Sequence, residues 1–147
     1  MSLWVISPYL ITILLAWVSA HLIKFIVSSI NKEKQTLRSY LFVSGGMPSA
    51  HSAAVVAMAT IIGLINGIDS GLFGLALLFA VIVMYDAMKV RRSSGEQSVA
   101  IHKLIKETKS KIELPRVAKG HTPIEVALGA MLGVVIGFVV FLSLIHI

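Results

Sequence analysis

The sequence predicts an all-α integral membrane protein: a four-helix bundle with a short cytoplasmic amphipathic helix. Three observations carry that expectation. Of the 147 residues, 56% are hydrophobic and only 14% charged, whereas a water-soluble domain carries about a quarter charged residues; the mean hydropathy is +0.89. The apolar residues fall into four runs, at about 4–29, 49–66, 71–88 and 123–144, each near the roughly 17 to 25 residues that span a bilayer as helix. The links between runs leave only antiparallel neighbours, so one transmembrane domain is expected over 1–147.

The first run holds Pro8 where a first helical turn tolerates proline, and Asn31-Lys32-Glu33-Lys34-Gln35 is a polar break that ends it. Val18-Ser19-Ala20 resembles a signal cleavage site, yet no basic residue precedes it and the run is long for a secretory segment, so a retained helix is expected. His21 and Lys24 fall in its last apolar turns, where a long basic side chain reaches the membrane interface. The second run opens at Ser49, a residue suited to cap a helix. The third contains Asp86, which is costly in an apolar run unless Arg91, Arg92 or Lys24 pairs with it. Between the third and fourth runs lies the only sizeable soluble stretch, about 91–119. Within it Ile101, Leu104, Ile105 and Thr108 recur with helical spacing opposite Lys103, Lys106, Glu107 and Lys109, which predicts the amphipathic helix on the membrane surface.

Runs two and four share a pattern of residues four apart, mostly small. From His51 the steps give Val55, Ala59, Gly63 and Gly67; from His121 they give Glu125, Gly129, Gly133 and Gly137. Such ridges let membrane helices approach closely. They also drift about 40° per step on a straight helix, so neither is expected to face one partner throughout.

All 13 basic residues lie at one end of this arrangement: Lys24, Lys32, Lys34 and Arg38 around the first connection, the rest between Lys89 and Lys119. The positive-inside rule then places both termini outside and the basic loops in the cytoplasm. The same count accounts for the net charge of +6 without nucleic acid, and a basic rim attracts anionic lipid headgroups. With no cysteine, disulfides, thiolate nucleophiles and sulfur-ligated metals are excluded.

Two glycine-flanked histidine sites, Ser44-Gly45-Gly46-Met47-Pro48-Ser49-Ala50-His51-Ser52 and Gly120-His121-Thr122-Pro123-Ile124-Glu125, fall at helix ends on the basic side. Exposed glycine N–H groups, helix N-termini and nearby cations together suit an anion with several oxygens. The four-residue spacing of His121 and Glu125 lets the carboxylate hold one ring N–H and leave the other nitrogen free as nucleophile or base. A glutamate in a first turn is also favoured by the helix dipole alone, and boundary histidines are often interfacial. His51, at the same depth, supplies a second imidazole for the leaving group. Arg91 and Arg92 end the third run; they serve as topology determinants or, with their planar forks, as phosphate ligands.

Pro48-Ser49-Ala50-His51 and His121-x3-Glu125 resemble two motifs of the type 2 phosphatidic acid phosphatase and vanadium-dependent haloperoxidase superfamily. Gly45 through Ala53, Tyr85-Asp86-Ala87 with Arg91-Arg92, and Gly120 through Val126 look like its small divergent membrane branch, over nearly the whole chain. The resemblance implies hydrolysis of a lipid phosphate ester or prenyl (di)phosphate through a phosphohistidine, with His121 as nucleophile, Glu125 orienting it and His51 as acid and base. It implies phosphate contacts from Gly46 and Ser49, with cations drawn from Lys24, Arg38, Arg91 and Arg92, and no metal or other cofactor. The chain departs from the superfamily pattern at Ala50 and Glu125, which stand for glycine and aspartate, and it lacks the Lys-x6-Arg-Pro spacing and the arginine before the second histidine. A metal held by His51, His121 and Glu125 is disfavoured by the surrounding cations.

The alternative is a non-catalytic phosphate- or lipid-binding membrane protein, a carrier, regulator or assembly component. Four helices make a thin enclosure for a lipid tail, so a homo-oligomer is a further expectation.

Overall fold

The computed structural model describes residues 7–30, 46–114, 117 and 120–146. Arg38, Gly45, the stretch 31–35, Pro115 and Arg116 lie outside the described residues. Helix α1 runs Pro8–Ile30, α2 Ala50–Asn66, α3 Gly71–Tyr85, α4 Arg91–Glu107 and α5 Pro123–Ile145. A π-helical turn, Asp86–Val90, joins α3 to α4 without a break.

Local chemistry sets the ends of the apolar helices. Ser49 caps α2, its hydroxyl accepting from Ser52 N–H at 3.4 Å. Gly67, at φ +88°, stops the same helix in a conformation that L side chains rarely adopt. Ser70 caps α3, accepting from Phe73 N–H at 3.2 Å. Thr122 and Glu125 close a reciprocal capping box at the start of α5, with Pro123 in the first turn.

Past Tyr85 the structure differs from expectation. The amphipathic segment is not a separate surface helix after a loop; it continues α3, giving one helical stretch from Gly71 to Glu107 of 37 residues. Charges at Lys89, Arg91 and Arg92 end the apolar run, but nothing there breaks a helix: no proline occurs, and Ala, Met, Lys and Arg are good helix formers.

α2 is the central element. It packs against α1, α3 and α5, and α1 also touches α5. The alternation of direction is fixed at both ends. At one, Tyr9 Oη donates to Asn66 Oδ1 at 2.8 Å, joining the start of α1 to the end of α2. At the other, Ser49 N–H donates to the Glu125 carbonyl at 3.0 Å and His121 N–H to the Ala87 carbonyl at 2.9 Å, so the starts of α2 and α5 meet the end of α3.

The cluster where α1, α2 and α5 meet is made mostly of small side chains. Ala16 and Ala20 of α1 pack with Ala50, Ala53 and Ala57 of α2, and Leu132 and Ile136 of α5 lie on that cluster. The α5 glycines bring the backbones together: a Cβ on Gly133 would stand 2.5 Å from the Ala53 carbonyl and 2.8 Å from Ala57 N, one on Gly137 2.7 Å from Thr60 Cβ, and one on Gly129 would strike the Ser49 carbonyl. The α5 ridge is thus the predicted one, but its partner row on α2 is Ser49, Ala53 and Ala57 and not the row from His51. Two residues along a helix turn the face by about 200°, so those rows are nearly opposite. Gly63, from the expected row, meets the Phe73 ring of α3 instead, at 2.9 Å for an added Cβ. Nor does drift part the ridges over this span, because two four-residue rows packed on each other follow one line across the contact.

α1, the Gly71–Glu107 stretch and α5 are long and apolar enough to cross a membrane; α2 is a shorter apolar helix surrounded by the others. Their outer faces expose Leu14, Leu22, Leu75, Phe79, Ile82, Met131, Phe138 and Leu142, a surface suited to lipid tails.

Candidate active site

His121 is held on both sides of its Cα. Its backbone N–H reaches Ala87 O within the π turn, where the regular i−4 ladder is interrupted and carbonyls become available. Its ring Nδ1 lies 3.2 Å from Glu125 Oε2. A carboxylate can only accept, so Nδ1 carries the proton and Nε2 keeps its lone pair. The ring is 4% exposed. Burial is the main force that pushes its pKa below the ordinary 6.5; the Glu125 hydrogen bond and charge pull it back up, and the Lys24 and Arg91 charges add to the depression.

Glu125 serves two purposes at once. Oε2 also accepts Thr122 N–H at 2.9 Å, while Glu125 N–H donates to Thr122 Oγ1 at 3.3 Å. The capping reading and the imidazole-orienting reading therefore describe one side chain in one rotamer.

His51 occupies the first turn of α2 and is exposed. The charges that bear on it come from Arg91, His121, Lys24 and His21, so three parts of the chain, α1, the start of α4 and the residues before α5, contribute to its surroundings. Lys24 feels the Glu125 carboxylate. Its stem runs beside Gly46, where an added Cβ would stand 3.5 Å from Lys24 Cε and where φ is +84°. Glycine is needed at 46 for that backbone conformation, and the lysine fits over it.

The remaining candidates divide. Arg91 Nε is 2.6 Å from Asp86 Oδ2, the pairing that the cost of Asp86 predicts, and both side chains are about a third exposed at 38% and 35%. Arg92 turns to Glu96 at 3.2 Å, well exposed, and its backbone abuts Gly120, where a Cβ would stand 2.5 Å from Arg92 N. Ser49 is fully buried between α2 and α5, its hydroxyl accepting from Ser52 N–H and, at 3.0 Å, from Ser52 Oγ. Among the described residues no three His, Asp or Glu side chains gather closely enough to hold a metal ion.

Two contributors escaped the sequence reading. His21, expected as an interfacial residue, stands beside the group; its three-residue spacing from Lys24 puts both on one face of α1 and could have signalled it. The Ala87 carbonyl had no signal in sequence, since it acts through a π turn. The arrangement as a whole sets an imidazole with a free lone pair and a second imidazole among Lys24, Arg91 and the Gly46 backbone, a setting able to bind a phosphoryl group and attack it.

Residues 6–136 match the sequence model of the Divergent PAP2 family. The chain is 40% identical over 111 residues to the uncharacterized membrane protein YuiD of Bacillus subtilis (strain 168), covering 65% of this chain and 70% of that protein. No solved structure matches it.

Proposed function

Because the chain belongs to the Divergent PAP2 family, we propose that it is a membrane phosphatase that hydrolyses a lipid phosphate ester or a prenyl (di)phosphate through a phosphohistidine. One observation carries the reading: His121 Nδ1 is held by Glu125, leaving Nε2 free in a cluster with His51, Lys24 and Arg91. His121 Nε2 attacks phosphorus, and the bond from phosphorus to the lipid oxygen breaks as His51 gives that oxygen a proton. In the second half, His51 takes a proton from water, whose oxygen attacks phosphorus and breaks the P–N bond to release phosphate. Lys24, Arg91 and the Gly46 backbone N–H hold the phosphoryl oxygens, supplying charge stabilisation without a metal. Arg38 and Arg92 are further cations for the headgroup, and Ser49 shapes the loop below it. The one-sided basic charge supports a cytoplasmic site with both termini outside the cell membrane, and on that reading the substrate comes from the inner leaflet.

A second reading, a non-catalytic phosphate- or lipid-binding protein, is favoured by the state of the clamp: Arg91 and Arg92 are paired with Asp86 and Glu96, and Ser49 is buried. Purified protein in lipid nanodiscs, offered a panel of lipid phosphates, separates the two. Vanadate-sensitive phosphate release lost in His121→Ala supports the enzyme; saturable binding with no release in wild type supports the second reading.

A further inference from the structure

Resting on the phosphatase reading, we infer that Asp86 is a positioning residue for His121: its ion pair with Arg91 holds the π turn whose freed carbonyl anchors the backbone of the nucleophile. The two side chains meet at 2.6 Å, Arg91 Nε to Asp86 Oδ2, across five residues of one continuous helical stretch. On a regular α-helix five residues turn the face by about 140°, so such a pair would point apart. A π turn bonds each residue to the one five further on and brings the two onto one face. The Arg91 backbone N–H donates to the Asp86 carbonyl in that way, so the residues are clasped twice, once by main chain and once by side chain. Neither proline nor glycine lies between Tyr85 and Ser94 to disturb an α-helix, which leaves the ion pair as the feature that favours the wider turn.

The consequence falls on Ala87. In an α-helix its carbonyl would take the Arg91 N–H; with that N–H on the Asp86 carbonyl, Ala87 O is left out of the ladder and accepts His121 N–H at 2.9 Å instead. Gly120 adds a second contact beside it, since a Cβ there would stand 2.5 Å from Arg92 N and 2.6 Å from Arg92 Cα. The chain that carries His121 therefore lies directly on the backbone just past the π turn. Closure of that turn into the α register would return Ala87 O to Arg91 N–H and leave the N–H of buried His121 without its partner. Glu125 sets the rotation of the imidazole from within its own helix. Asp86, by way of the π turn, sets where that imidazole stands relative to Arg91.

The test measures two quantities in nanodiscs, hydrogen exchange at the His121 amide and phosphate release from a panel of lipid phosphates. Asp86→Ala is expected to speed exchange at His121 by about five- to tenfold, the share of one hydrogen bond. It lowers kcat by about 10- to 100-fold, the scale of a displaced reacting group, with KM unchanged or lower because Arg91 is released to the phosphoryl oxygens. Where Asp86→Ala fails to insert, Asp86→Asn, which keeps the shape and weakens the pair, carries the same comparison. The exchanged pair, Asp86→Arg with Arg91→Asp, rebuilds the ion pair at the same spacing; it is expected to restore His121 protection but not turnover, because the cation no longer stands at 91. Wild-type exchange or wild-type kcat in the single variant overturns the inference. So does faster exchange spread evenly over α2 and α5, which marks a merely structural role, and so does an exchanged pair that leaves His121 unprotected. Wild type releasing phosphate from no lipid overturns the phosphatase reading and the positioning role with it, whereas an active wild type beside any of the preceding results leaves that reading standing.

Discussion

Glu125 Oε2 receives both the Thr122 N–H and the His121 ring, so capping and orientation can be separated by a substitution that retains the first. Glutamine still closes a capping box, and Glu125→Gln is expected to keep the thermal midpoint within a few degrees of wild type while lowering phosphate release by about 10²-fold, within the range for acid–base and orienting groups. Because Glu125 pulls the His121 pKa upward, the acid limb of the residual activity should move to still lower pH. The unmodified site makes its own signed prediction. Burial holds the folded His121 below its ordinary 6.5, so on acidification the unfolded chain takes up a proton before the folded one does. Stability is therefore flat above 6.5 with respect to this group and falls with pH between 6.5 and the folded value. Melting curves in detergent should show that acid loss in wild type and a smaller one in His121→Gln. The contact of His121 with Glu125 was legible in sequence because its four-residue spacing lies within about one helical turn. Arg92's turn outward to Glu96 carries the same four-residue spacing, a pairing that the reading of Arg92 as a phosphate ligand passed over.

At the scale of elements, the contact between α2 and α5 depends on the absence of side chains. Gly133→Ala would push a methyl against the Ala53 carbonyl and Ala57 N, backbone atoms that cannot rotate away. A loss of about 1–3 kcal/mol is expected, the usual range for overpacking. Gly74, inside α3, has nothing within 4 Å of an added Cβ, so Gly74→Ala should be neutral or stabilising by up to about 1 kcal/mol from helix propensity alone. Thermal unfolding of the two variants side by side checks both signs. The periodicity of residues 129, 133 and 137 revealed the α5 ridge, since glycine recurring at this period along an apolar helix marks a line of close backbone approach. Its partner on α2 was hidden because alanines and serines fill two faces of that helix, and the His51 row was the wrong one of the two. The union of α3 with α4 was hidden for a different reason. Hydropathy locates where a span ends, whereas helix continuity depends on breakers, and none occurs between Tyr85 and Gly95.

For the whole molecule, four apolar runs and one-sided basic charge sufficed to read an all-helical membrane protein with antiparallel neighbours, because bilayer thickness dictates run length. The chain contains no cysteine, so single introduced thiols can map its sidedness without background. Asp69→Cys, between α2 and α3, should react with an impermeant maleimide from outside intact cells, and Ser98→Cys, in α4, only after the membrane is opened; the reverse pattern would invert the proposed orientation. The helical stretch Gly71–Glu107 carries a mechanical consequence. At about 1.5 Å per residue, its 37 residues extend roughly 55 Å, against a hydrocarbon layer of about 30 Å. Nearly half of this mast therefore stands clear of the oil, and the His121 backbone is moored to it by the Ala87 carbonyl. Whatever leans on the protruding end tugs at that mooring.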